Sequence, residues 1–71
     1  MNSLSKDDGI LLEIARIGNV LRVAALDPDT LAEVTFQAPP ATDRKALVAL
    51  ARRKLDFVTA RMVKSGNLSR S

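Results

Sequence analysis

The chain has 71 residues, eleven Lys and Arg against eight Asp and Glu, a formal net charge of +3 and a pI near 10.0. It contains no cysteine, histidine, tryptophan or tyrosine, which excludes disulfides and thiolate metal sites and removes the commonest transition-metal ligand and the usual acid–base group near neutral pH. Chains of this size bury only about 60% of the surface that their unfolded form exposes, so self-association is the expected extra source of stability.

No apolar run approaches the ~18 residues that a membrane span needs. The opening "MNSLSKDDG" lacks the basic-then-apolar plan of a secretory signal. A soluble cytoplasmic protein is expected, with no membrane contact. Residues 1–8 and 65–71 are polar and poor in large apolar groups, and they read as disordered tails around one domain over residues 9–64.

Three strands follow in chain order. Ile10 to Ile17 reads "ILLEIARI", Val20 to Leu26 reads "VLRVAAL" and Leu31 to Gln37 reads "LAEVTFQ", each bounded by Gly, Asn, Asp or Pro. Gly18-Asn19 has the length and chemistry of a two-residue type II′ hairpin, which sets Ile17 opposite Val20, Ala15 opposite Arg22 and Ile14 opposite Val23. Asp27-Pro28-Asp29-Thr30 makes the second turn, with Pro28 presetting φ and Asp27 able to bond the backbone ahead of it. Two registers fit that turn: Leu26 faces Leu31, or a wider loop sets Asp27 against Ala32. They differ by a shift of two residues, so the face assignment is the same in both.

One face then carries Ile10, Leu12, Ile14, Leu21, Val23, Ala25, Ala32, Val34 and Phe36, ending at Arg16. The other carries Leu11, Glu13, Ala15, Ile17, Val20, Arg22, Ala24, Leu26, Leu31, Glu33, Thr35 and Gln37. The first is almost wholly apolar and requires a cover.

The cover is a helix. After the Pro39-Pro40 breaker, Thr42 reads as N-cap with Asp43 in the first turn, and the helix is expected to end near Lys64 with Gly66 as C-cap. Leu47, Ala51, Leu55, Val58 and Met62 form one stripe for the sheet. Ala46, Leu50 and Phe57 form a second, weaker one around the corner, set apart by Lys54 and Arg61.

Little in this inventory carries chemistry. Asp27 and Asp29 lack the Gly-containing loop and distal Glu of a calcium site and read as a plain turn. Glu13, Arg22 and Glu33 share the uncovered face, where in either register Arg22 is expected within opposite or diagonal reach of both carboxylates. That patch suits an interface and offers no pocket for acid–base catalysis. The three glycines are isolated, so there is no phosphate loop, and no histidine exists to activate a Ser or Thr. No enzyme and no cofactor are expected. DNA reading by an open sheet needs basic or amide groups on that face, and the two Glu oppose it. Double-stranded RNA-binding domains share the three strands and final helix, but their first helix has no counterpart here.

The order of "RIGN" (Arg16 to Asn19), "DPDT" (Asp27 to Thr30), "EV" (Glu33-Val34) and "RRKLDFV" (Arg52 to Val58) resembles a family of short uncharacterised bacterial proteins, a domain of unknown function. The likeness runs from about Ile10 to Val58. It implies a small α+β fold and no catalytic residue, cofactor or ligand. Turns of this kind often continue with Gly. This chain has Leu31, for which a left-handed backbone is costly, and that favours the tighter register.

The sequence therefore predicts an α+β domain, a three-stranded antiparallel β-meander with one C-terminal helix on one face. Its expected role is that of a non-enzymatic homo-oligomeric interaction module, a dimer, with Ile17, Val20, Arg22, Leu26, Leu31, Glu33, Leu50 and Phe57 as candidate interface. The alternative partner is nucleic acid or another polyanion, held by Arg44, Lys45, Arg52, Arg53 and Lys54. These cations are scattered around the helical wheel, which counts against a single phosphate-binding stripe.

Overall fold

The computed structural model describes the backbone of residues 2–70 and the side chains of residues 4–62. Four strands, β1 (Asn2–Asp7), β2 (Ile10–Ile17), β3 (Val20–Leu26) and β4 (Glu33–Ala38), precede a single helix, α1 (Arg44–Arg70). The strands form one antiparallel sheet in the order β1-β2-β3-β4. The α+β class is as expected, but the sheet has four strands where three were expected.

The additional strand comes from the segment read as a tail. Asp8 and Gly9 adopt φ of 53° and 78°, both positive as a type I′ turn requires, and Asp-Gly is among the strongest short hairpin signals. The turn places Asp7 against Ile10, Lys6 against Leu11 and Leu4 against Glu13. Leu4 is the one large apolar side chain in β1, so no alternation betrays the strand; backbone pairing with β2 holds it.

The Gly18-Asn19 hairpin has the expected register, with Ile17 opposite Val20, Ala15 opposite Arg22 and Ile14 opposite Val23. Gly18 takes φ 59°, the sign required at the first position of a type II′ turn. The second hairpin takes the wider register. Leu26 pairs with Glu33 and Val23 with Phe36, while the Asp27 N–H donates to the Ala32 carbonyl at 2.9 Å. Leu31 therefore leaves the strand and lies in the loop at φ 63°. A left-handed non-glycine residue costs about 1–2 kcal/mol. Local hydrogen bonds offset that cost: the Leu31 N–H donates to the Asp27 carbonyl (2.7 Å), the Asp29 N–H to Asp27 Oδ1 (2.9 Å) and the Ala32 N–H to Thr30 Oγ1 (3.2 Å). The side chains of Asp27 and Thr30 thus select the loop that the cost of Leu31 argued against.

Ile10, Leu12, Val23 and Ala25 from the sheet, Ala32 just before β4 and Ala38 at its end, and Leu47, Ala51 and Leu55 from the helix make the core. Ile14, Leu21, Val34, Phe36, Val48 and Val58 close its margin. The face assignment holds for the strand residues, but Leu31, assigned to the open face, lies in the loop. On α1 the stripe is buried from Leu47 to Leu55 and half-buried at Val58, but Met62 is 41% exposed. The helix N-cap is Asp43, one residue beyond the expected Thr42. Asp43 Oδ1 accepts from the Ala46 N–H at 2.8 Å and its carbonyl takes the first helical bond from Leu47. The helix continues past Lys64 and Gly66 to Arg70.

Candidate functional site

The helix lies over β3 and β4, and it leaves the opposite face of the sheet open. The pairing arranges that open face in rows across the strands. At the end of the sheet that bears the Asp8-Gly9 turn and the β3–β4 loop, the row is Lys6, Leu11, Leu26, Glu33. Next comes Leu4, Glu13, Ala24, Thr35, and then Ala15, Arg22, Gln37. Ile17 and Val20 close the far end.

Leu11, Ala15, Val20, Ala24 and Leu26 are half-buried by their neighbours, whereas Leu4 is 76% and Ile17 53% exposed. The apolar side chains form a band along β2 and β3 that widens to Leu4 on β1. A shallow depression between Leu4, Leu11, Glu13, Ala24 and Leu26 lies at its centre.

The charges on this face are Lys6, Glu13, Arg22 and Glu33, and all four are exposed. Arg22 stands opposite Ala15 and Gln37, diagonal to Glu13; Glu33 stands opposite Leu26, two rows away. The expected sharing of Arg22 between Glu13 and Glu33 is therefore not formed, because the wider register carries Glu33 out of reach. Among the described residues, none of these four makes an ion pair within the chain.

The candidate cations on the helix behave differently. Arg44 reaches Asp7 and Ser5 on the helix side of β1, with Nε to Asp7 Oδ2 at 2.9 Å. Arg52 lies among three carboxylates: Asp8 (3.8 Å), Asp27 (3.6 Å) and Asp56 (3.4 Å). Its Nη2 also donates to the Asp8 carbonyl at 2.9 Å. Arg52 thus ties both turns at one end of the sheet to the helix. Lys54 Nζ sits 5.5 Å from the centre of the Phe36 ring, a cation–π distance. Of the five proposed polyanion contacts, Lys45 and Arg53 are exposed with no ion pair among the described residues, and the other three are engaged.

The second helical stripe faces solvent. Ala46 is exposed, Leu50 half-buried and Phe57 64% exposed, with Arg61 5.7 Å from the Phe57 ring centre. Leu50, Phe57, Lys54 and Arg53 line an open groove against Val34 of β4. Leu31, also a candidate, is 69% exposed in its loop, beside the open face and no longer part of it. Sequence reasoning missed Leu4 and Lys6, whose signal was the Asp8-Gly9 pair immediately before an alternating run.

Among the described residues there is no group of three or more potential metal ligands, and no helix is long and apolar enough to cross a membrane. A family model described as "Domain of unknown function (DUF6898)" matches residues 7–62 and spans β2 to β4 with most of α1; the chain belongs to that family. No curated protein and no solved structure matches it.

Proposed function

We propose that this DUF6898 chain is a non-enzymatic interaction module that assembles with itself, as a dimer, through the open face of its sheet. The observation that carries the reading is the band of Leu4, Leu11, Ile17, Val20, Ala24 and Leu26 on a face that the helix does not cover. An apolar patch much above a few hundred Å² marks an interaction surface in a soluble protein. A chain of this size also has few other ways to remove apolar area from water.

Polyanion binding is less well supported, because Arg44 and Arg52 are already occupied by carboxylates. Sedimentation at tens of micromolar protein tests the reading. The expected result is a dimer whose population changes little between about 50 and about 200 mM salt, a range over which a complex held by phosphate contacts weakens steeply. A monomer at that concentration would overturn the reading.

A further inference from the structure

The open face is electrically self-complementary. It carries two cations and two anions, and their positions obey a rule under one symmetry operation. A two-fold axis in the interface plane, running along the strands between β2 and β3, sets β1 of one copy over β4 of the other and β2 over β3. Each row then meets the same row of the partner copy in reverse order. Lys6 meets Glu33, Leu11 meets Leu26, Leu4 meets Thr35 and Ile17 meets Val20. Glu13 meets Ala24, one row along the strand from Arg22. Each cation is thus brought to an anion and each large aliphatic residue of β2 to one of β3.

We propose that two copies of this chain pack open face to open face about that axis, with Lys6–Glu33 and Glu13–Arg22 as intermolecular pairs. The proposal rests on the self-association reading above and adds its geometry. Four charges without an ion pair among the described residues and an apolar band on one face are what an isologous interface needs, since each patch must complement itself. A two-fold axis across the strands is a poorer solution. It stacks Leu11 on Ile17 and Leu26 on Val20 but leaves Lys6 and Glu33 with no partner. The Lys6–Glu33 pair cannot form within one chain, because the two residues stand on the first and last strands, three strand spacings or about 14 Å apart.

The test uses the full chain and two charge reversals at exposed positions, Lys6→Glu and Glu33→Lys, with circular dichroism as the check on folding. Each reversal alone is expected to weaken self-association roughly tenfold or more, because symmetry repeats the altered pair twice and attraction becomes repulsion. An equimolar mixture of the two variants is expected to recover the dimer, since every reversed residue then faces its opposite. The double variant should recover it as well. If the wild-type chain dimerises but the mixture shows no recovery, the geometry is wrong and the self-association reading stands. If the wild-type chain is a monomer, both fall.

Discussion

The two faces of one sheet, built from the same strands, have opposite fates. On the helix side, Ile10, Leu12 and Val23 have no exposed surface at all. On the other side their chain neighbours Leu11 and Ala24 are half-buried, and Leu4 and Ile17 are open. Parity along a strand decides the difference, and the two faces hold different information. The covered face is almost wholly apolar from β2 to β4 and sets stability, while the open face mixes aliphatic and charged residues.

The largest test of that contrast lies in the core. Leu55→Ala should cost about 2–5 kcal/mol, seen as a large fall in the urea midpoint, whereas Leu11→Ala on the open face should cost the isolated monomer well under half of that. Next comes the strained loop. Leu31→Gly relieves a left-handed backbone and should stabilise the chain by up to about 1 kcal/mol after the entropic cost of glycine, a rise in Tm of a few degrees for a domain of this size. A fall in Tm would show that the exposed Leu31 side chain is held by contacts in the assembly.

Helix capping gives a comparable effect with a sharper contrast. Asp43→Ala should lose about 1 kcal/mol in thermal unfolding, and Thr42→Ala a few tenths at most. A small, salt-dependent effect is expected at Arg52, a partly exposed hub. Arg52→Met should destabilise by about 1 kcal/mol or less, and by less still in high salt. An unchanged melting curve at low salt would remove Arg52 as the tie between the turns and the helix.

Much of this was legible in the sequence. The alternation in β2 and β3 and the Gly18-Asn19 pair determine the central hairpin down to its register, and the spacing of Leu47, Ala51 and Leu55 identifies the covering face of the helix. Two things escaped. β1 alternates Leu4 and Lys6 with Ser5 and Asp7, and its helix side is satisfied by Arg44, a contact 37 residues away in the chain, so neither hydrophobicity nor local spacing reports it. The register of the second hairpin depended on whether Asp27 and Thr30 side chains could carry a strained Leu31. That is a balance of roughly one kcal/mol, which residue preference alone had weighed in favour of the tighter loop. Both misses bear on the open face: β1 brings Leu4 and Lys6 to it, and the wider register takes Leu31 off it and moves Glu33 to the corner opposite Lys6.

Ala24 and Ala25 are adjacent in β3 and point to opposite faces; Ala25 is 3% exposed and Ala24 half-buried. Sedimentation equilibrium of Ala24→Glu beside the wild-type chain is the most direct test that the open face is the assembly surface. The account predicts a wild-type dimer and a folded Ala24→Glu monomer. The same mass for both chains would contradict it.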